Sequence, residues 1–327
     1  MLSGSVSIII PCFNASPFLR ETLDSALRQT TPAAEVILVD DGSTDDSAAI
    51  AESYGPPVRV IRQTNQGESV ARNAALAVAR GEYVVFLDAD DVLDPRLLET
   101  QLRSLENVPG GVACTGFAMF FDDPKQAFRT TMPRPHGFFP EIISGNLAPP
   151  SCWMIPRTVV LQAGGFHPPQ RYFEDWDLNW RVGLTGATYV PVPVVGFYYR
   201  QHEKSQLASV GNADRAYGHA WLMERMCRAF LDRNDLLQAY GDTLFWSAWT
   251  ALRACRAFEV PWDRLQSLGH MLEEIARRGP AGLERSTFAR AVRWLGVRRA
   301  ETLRGLWNRN GAAPSYRPLW TIERPPT

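Results

Sequence analysis

Three carboxylates close the stretch GEYVVFLDADD at residues 81–91. Asp88 and Asp90 flank Ala89, a spacing that turns both side chains the same way in an extended segment, and Asp91 follows directly. Residues 83–87 ahead of them form an unbroken apolar run rich in β-branched and aromatic residues, the pattern of a strand covered on both faces. Unpaired buried charge is costly, so acids at the C-terminal end of such a strand need solvent and a cation. That rim is also where open α/β sheets bind ligands. The chemistry this pair fits is one divalent ion and the phosphates it carries, and an oxygen donor set favours Mg²⁺ or Mn²⁺ over zinc. A lone Asp-rich turn more often just ends a strand, so the reading depends on its neighbours. A second acidic run, Glu174-Asp175-Trp176-Asp177, precedes apolar residues at helical spacing. By itself it is explained by carboxylates favouring a helix N-terminus.

The elements that must position these acids can be read from the preceding residues. Residues 6–10 form a β-branched strand. Ser16-Pro17 reads as a helix cap with proline at the first position, followed by Phe18, Leu19, Thr22, Leu23, Ala26 and Leu27 at helical spacing. Residues 35–39 form a second strand, which ends at Asp40-Asp41-Gly42-Ser43-Thr44; Ser43 or Thr44 is placed to cap a helix through Tyr54. A strand at 58–61, a helix at 68–79, the acidic strand and a helix from Asp94-Pro95 complete the series. Strand–helix alternation of this kind predicts an α/β fold with a mostly parallel sheet flanked by helices. Asp40, Asp41, Asp88 and Asp90 then share one rim. Dinucleotide and P-loop chemistry are disfavoured, because no GxGxxG follows the first strand and no GxxxxGK[ST] occurs. Further strands are expected at 111–121, 151–155, 188–190 and 195–199, with a Pro/Gly-rich loop over 122–150.

Four segments in this order resemble the family 2 inverting glycosyltransferases of GT-A fold: VSIIIPCFN, EVILVDDGSTDDS, QTNQGESVARNAAL and GEYVVFLDADD. The resemblance covers roughly residues 5–205. It implies that Pro11, Phe13, Asp40 and Asp41, and more weakly Asn14, contact the base and ribose of a nucleotide-diphosphate sugar. It implies that Asn65, Gly67, Arg72 and Asn73 line the same pocket, with Ala89 beside the ribose, Asp90 directly on the metal and Asp88 either near the ribose or on the metal through water. The family's ED motif falls on Glu174-Asp175, which makes Asp175 the general base, Glu174 its support and Asp177 the fallback. A YRxHxxS-like segment places His202 at the metal or diphosphate and Arg200 at a phosphate. The expected activity is metal-assisted, inverting transfer of one sugar, from a UDP-sugar in the first instance, to a glycan or lipid-linked glycan hydroxyl. A non-catalytic nucleotide-sugar binding module is one alternative, but it would lack the base. The other is a sugar nucleotidyltransferase on a similar fold, but its Gly-rich, Arg-containing loop is absent after the first strand.

The texture changes near Asn212, where strand patterns give way to Ala, Leu, Arg, Glu and Trp at helical spacing. The expected organisation is a catalytic domain over 1–210, with a nucleotide-sugar half (1–110) and an acceptor half (111–210), then a helical extension over 211–327. Nine arginines against Glu284 and Glu301 lie between Arg277 and Arg309, interleaved with Phe288, Val292, Trp294, Leu295, Leu303, Leu306 and Trp307. This reads as a basic amphipathic helix. It either packs on the catalytic domain or another protomer, or meets an anionic membrane surface peripherally. The chain has 327 residues, a formal net charge of −1, and five scattered cysteines with no CxxC pair. Those features exclude a generic nucleic-acid binder, a zinc knuckle and a disulfide framework. Neither a leader sequence nor a membrane span is expected, which points to cytoplasm, at or near the inner face of the membrane.

Overall fold

The computed structural model describes residues 4–169, 172–202 and 211–300. The chain divides into two compact units, Met1–Ile142 with Asn146–Ser209, and Ile143–Gly145 with Val210–Thr327. In the first unit, strands β1 (Val6–Cys12), β2 (Glu35–Asp40), β3 (Val58–Arg62) and β4 (Tyr83–Phe86) lie in the order β3-β2-β1-β4, every pair parallel. Every residue of β1 is buried, including Ser7, whose hydroxyl donates to Glu35 Oε1 at 2.7 Å. Helices α1 (Leu19–Leu27), α2 (Ser47–Glu52), α3 (Glu68–Val78) and α4 (Leu97–Leu105) alternate with these strands. Register pairs Cys12 with Asp40, and Leu87 N–H donates to the Ile9 carbonyl, so the strand exits that carry the predicted acids share one rim.

Beyond β4 the pairing is mixed. The sheet continues through β8 (Trp153–Pro156), β6 (Gly111–Phe120), β9 (Thr188–Arg200) and β5 (Val92–Leu93), while β7 (Arg129–Thr131) pairs with β6. β8 is antiparallel to both β4 and β6, so β6 and its parallel partner β9 run with the first four strands. Six of the nine described strands therefore share one direction, and the sheet is mostly parallel as expected. The two strands expected between Thr188 and Tyr199 are one, with register irregularities opposite Thr115 and Gly116. β5 was not legible in the sequence, because two residues are too few for a pattern. α5 (Glu141–Ser144), α6 (Arg157–Gln162) and α7 (Glu174–Leu184) complete the described helices up to Arg200.

Helix α1 begins at Leu19, and neither Ser16 nor any other side chain caps it. The backbone N–H groups of Ala15 and Ser16 are taken by Ser47 Oγ (2.9 Å) and Asp45 Oδ2 (3.1 Å), which hold this segment as a turn against the β2 exit. α2 likewise starts at Ser47, later than Ser43 or Thr44, because Asp45 Oδ1 accepts the Ser47 N–H at 2.9 Å.

The second unit is helical: α8 (Asn212–Leu231), α9 (Asn234–Ala257), α10 (Gln266–Arg278), α11 (Ala281–Arg285) and α12 (Thr287–Leu295). Its core gathers Met226 and Phe230 from α8, Phe245 and Leu252 from α9, and Leu272 and Ile275 from α10, all fully buried. The basic stretch is not one amphipathic helix. It breaks at Gly279-Pro280 and again at Gly296, whose φ is +77°. Of its apolar positions, Phe288 lies 4.5 Å from the Trp249 ring and Val292 is buried within this unit, while Trp294 and Leu295 are exposed. Leu303, Leu306 and Trp307 lie outside the described residues. Among the described residues, no helix is long and apolar enough to cross a membrane.

Candidate active site

Arg72 stands at the centre of the acids. Its α3 position is on the buried face, and the side chain is 1% exposed. Nη2 donates to Asp88 Oδ1 at 2.7 Å and to Glu68 Oε2 at 3.2 Å, and Nη1 donates to Glu174 Oε1 at 3.0 Å. The guanidinium carbon lies 5.0 Å from the centre of the Phe166 ring. One cation thus joins α3, the end of β4 and the start of α7. Burial would push its proton off, but Glu68, Asp88 and Glu174 outweigh that and raise its pKa above an already high value. A guanidinium so engaged is a bridge between carboxylates.

The three acids after β4 diverge sharply. Burial raises the Asp88 pKa, with Arg72 opposing. Asp90 Oδ2 lies 2.8 Å from His202 Nε2, and that imidazole packs 4.6 Å from the Phe18 ring. Asp91 is fully buried; its Oδ1 accepts the Arg200 N–H at 2.9 Å and its Oδ2 has no hydrogen-bond partner. Desolvation, then Asp90 and Asp88, raise its pKa well above the carboxylate range.

At the start of α7, Phe173 adopts a left-handed conformation, φ 64°, and launches the helix with no side-chain cap. Glu174 turns inward to Arg72. Burial, followed by Glu68 and Asp175, raises its pKa well above the usual range. Asp175 is half-buried, with Oδ1 accepting the Trp176 N–H at 2.7 Å and Oδ2 accepting Asn146 Nδ2 at 2.6 Å. Desolvation raises its pKa to about 6 against those two hydrogen bonds and Arg72, and Asp88 adds to the rise. A carboxylate tuned there is mostly ionised at neutral pH yet more basic than an ordinary aspartate. Asp177, the fallback, is fully buried and bound by Arg181 through Nε at 3.0 Å and Nη2 at 2.7 Å, so it is a structural ion pair.

Several other predicted residues have structural jobs. Asp41 is buried and accepts from Gln63 Nε2, Gln66 N and Gly67 N at 2.7, 2.9 and 2.7 Å, which staples the loop carrying exposed Asn65 and Gly67. Asp40 accepts the Ser43 N–H at 3.1 Å and sits 3.6 Å from Arg62 Nε. Asn14, at φ 51°, accepts Thr44 N–H at 2.8 Å and so ties the β1 exit to the β2 turn. Pro11 is buried inside β1, while Phe13 is 51% exposed at its exit, and Ala89 is buried between the two acids. The Asn73 amide clamps the Phe166 backbone from both ends, donating to O at 2.8 Å and accepting from N at 2.9 Å. Gly165 is required there, with φ at +67° and only 2.7 Å between an added Cβ and Asn73 Oδ1. Arg200 donates through Nη2 to Glu21 at 2.5 Å, through Nε to the Asp90 carbonyl at 2.7 Å and through Nη1 to the Phe121 carbonyl at 3.4 Å, so it ties the strand that carries it to the acidic turn.

Sequence reasoning missed Glu68, Asn146 and Tyr199. Burial, followed by Asp91, Asp88, Asp90 and Asp175, raises the Tyr199 pKa well above its usual value, which keeps a neutral phenol against the acids. Glu68 was legible as the residue one helical turn before Arg72. Asn146 lies in the Pro/Gly-rich stretch, where no periodicity exists to place it.

No three His, Cys, Asp or Glu side chains among the described residues gather in metal-binding geometry. The Asp90–His202 pair with Asp88 nearby therefore does not make an all-protein cage. It does fit a hexacoordinate cation that keeps water and takes substrate phosphates as its remaining ligands, the habit of Mg²⁺.

Comparison with known proteins gives the family and the fold. The Glycosyl transferase family 2 profile matches residues 7–162. The chain is 30% identical over 229 residues to the uncharacterized glycosyltransferase RT0329 of Rickettsia typhi, 67% of this chain and 71% of that one. It is 28% identical to the putative glycosyltransferase EpsH of Bacillus subtilis, over 73% of each chain. YibD of Escherichia coli is 46% identical over 101 residues, and the chain spans only 29% of its length. Among solved structures, S. aureus TarS 1-349 in complex with UDP-GlcNAc aligns over 96% of this chain and 93% of its own, with TM-score 0.67 and 18% identity. The Pyrobaculum calidifontis mannosyltransferase PcManGT, in complex with GDP-Man and Mn²⁺, aligns over 94% and 81% with TM-score 0.51 and 19% identity. These two likenesses establish a shared GT-A fold. The chain belongs to glycosyltransferase family 2.

Proposed function

We propose that this glycosyltransferase family 2 chain moves one sugar from a nucleotide-diphosphate sugar to a hydroxyl of a glycan or lipid-linked glycan, with inversion at the anomeric carbon. The observation that carries the reading is the Arg72 bridge. It ties Asp88, at the end of the donor-side strand, to Glu174, next to Asp175, through contacts of 2.7 and 3.0 Å. Acids from the two halves, residues 1–110 and 111–210, thereby serve one reaction centre. Asp175 takes the acceptor proton while the acceptor oxygen attacks the anomeric carbon from the face opposite the diphosphate. The carbon–oxygen bond to the acceptor forms as the bond to phosphate breaks, and the electron pair leaves with the nucleoside diphosphate. Asp90 and His202, with Asp88, would hold Mg²⁺ or Mn²⁺. Such an ion, when bound, supplies charge stabilisation for the departing diphosphate. Phe13 presents an exposed ring for the base, and Asn65 and Gly67 border the ribose on the loop held by Asp41. Neighbours of this fold hold UDP-GlcNAc in one case and GDP-Man with Mn²⁺ in another, so both nucleotides belong in a first screen, with UDP the first choice.

The test is Asp175→Asn. Affinity for UDP with Mn²⁺, read by calorimetry, is expected to stay at the wild-type value, while transfer falls by about 10²- to 10⁴-fold, the usual contribution of a general base. Wild-type turnover in that variant would remove Asp175 from its role.

A further inference from the structure

We propose that Asn146 is a positioning residue for Asp175, itself oriented by Asn179, so that transfer depends on an amide relay outside the recognised motifs. The inference rests on reading Asp175 as the base. Asp175 Oδ1 is fixed by the adjacent Trp176 N–H at 2.7 Å, a contact that any residue at 176 other than proline would supply. Oδ2 is different. Among the described residues its one hydrogen bond runs 2.6 Å to Asn146 Nδ2, from the segment ahead of β8. An amide can present either its oxygen or its nitrogen, and here the choice is made by Asn179, whose Nδ2 donates to Asn146 Oδ1 at 3.1 Å. With its oxygen so engaged, Asn146 must turn its NH₂ toward Asp175. Asn179 is buried and follows Asp175 by four residues, which places both on one face of α7. The backbone on either side of Asn146 is pinned as well. Trp176 Nε1 donates to the Ile142 carbonyl at 2.6 Å, and Trp153 Nε1 donates to the Ala148 carbonyl at 3.1 Å.

A neutral amide suits this position. It donates to the ionised carboxylate without adding a charge to a site that already holds many. Asp175 is faced by Glu174 from its own helix, by Arg72 from α3, by Asp88 from the β4 exit and by Tyr199 from β9, while Glu68 acts on the adjacent Glu174. A lysine or arginine here would neutralise the base, and an acid would compete with it for the acceptor proton. Asparagine fixes one oxygen and leaves a second lone pair on each carboxylate oxygen for the incoming hydroxyl.

The experiment titrates the carboxyl directly, in full-length protein labelled with ¹³Cγ-aspartate. The resonance lost in Asp175→Asn is Asp175, and its midpoint in the wild type is expected at about 6. In Asn146→Ala the midpoint should rise by about one pH unit, roughly the worth of one hydrogen bond to an ionised group. Asn146→Ser, which keeps a donor, should recover part of that shift. Asn179→Ala should move the midpoint in the same direction by less, and it carries the test if Asn146→Ala does not fold. A midpoint that stays at the wild-type value in both alanine variants overturns the relay. Turnover of UDP-GlcNAc as a probe donor separates this from the parent reading. Asn146→Ala should lower kcat by roughly tenfold to a hundredfold with little change in KM, as misplacement of a reacting group does. Full activity in Asp175→Asn would instead sink the base assignment and leave the titration result standing.

Discussion

Arg72→Met removes the guanidinium and keeps the apolar stem against Phe166, so it isolates the charge of the bridge. In the native protein that charge makes ion pairs at 2.7, 3.0 and 3.2 Å with Asp88, Glu174 and Glu68, whose side chains are 28, 8 and 31% exposed. Removing one partner of a buried ion pair costs about 3–5 kcal/mol. At about 2–4 °C per kcal/mol for a unit of this size, the melting temperature should fall by about 10 °C at neutral pH. The pH dependence makes the prediction specific. Folded-state pKa values of Asp88 and Glu174 are raised above the ordinary range even with Arg72 present, because burial is the largest effect on each. In the variant they rise further. Between the unfolded and folded pKa values, the folded carboxyls bind more protons than the unfolded ones, so stability falls as pH rises through that window. The variant should therefore lose progressively more stability than the wild type from pH 5 to pH 8, as read by thermal denaturation followed by circular dichroism. A deficit that is flat across that range, or below about 2 °C throughout, would refute the electrostatic account of this centre.

Three further outcomes are expected. The transfer rate should fall about tenfold per pH unit below about 6, as Asp175 takes up a proton; a rate level down to pH 5 would contradict this. Asn73→Ala should destabilise the protein by about 2 kcal/mol in chemical denaturation, since two hydrogen bonds to Phe166 are lost, with UDP affinity unchanged by calorimetry. A large affinity loss would return Asn73 to the nucleotide pocket. Asp90→Ala should abolish the effect of Mn²⁺ on UDP binding, because it removes the carboxylate paired with His202 at 2.8 Å; an equal Mn²⁺ effect in both proteins counts against that site.

Much of the framework was legible because β-branched runs and turn residues are local signals. The four parallel strands, the shared rim and the position of Asp88 and Asp90 all follow from residues 6–91. What failed was local chemistry overridden from a distance. Ser16-Pro17 has every feature of a helix start, yet Ser47 and Asp45 claim the neighbouring N–H groups and delay α1 to Leu19. Asn73 and Arg200 sit inside recognisable motifs, yet the partners they hold in the structure, the Phe166 backbone 93 residues away and Glu21 179 residues away, are not written in those motifs. No window of sequence can foresee such partners. β5 was missed because pairing of Val92 and Leu93 with β9 leaves no periodicity to detect.

Spacing gives neighbouring carboxylates equal standing, and burial with partners then separates them. Asp175 and Asp177 lie on the same first turn of α7. Asp177 points where Arg181 can reach it, and a base there would first have to break two contacts of 3.0 and 2.7 Å in a fully buried site. Among the described residues Asp175 accepts hydrogen bonds from neutral donors, Asn146 and the Trp176 N–H, with Arg72 acting on it electrostatically, and burial leaves its pKa near the pH at which a base is most useful. The same logic sorts the acids after β4. Asp91 anchors the backbone of Arg200, Asp88 is paired with Arg72, and Asp90 faces an imidazole, a group able to ligate metals. Division of labour among these carboxylates therefore arises from the single cations and amides placed beside them.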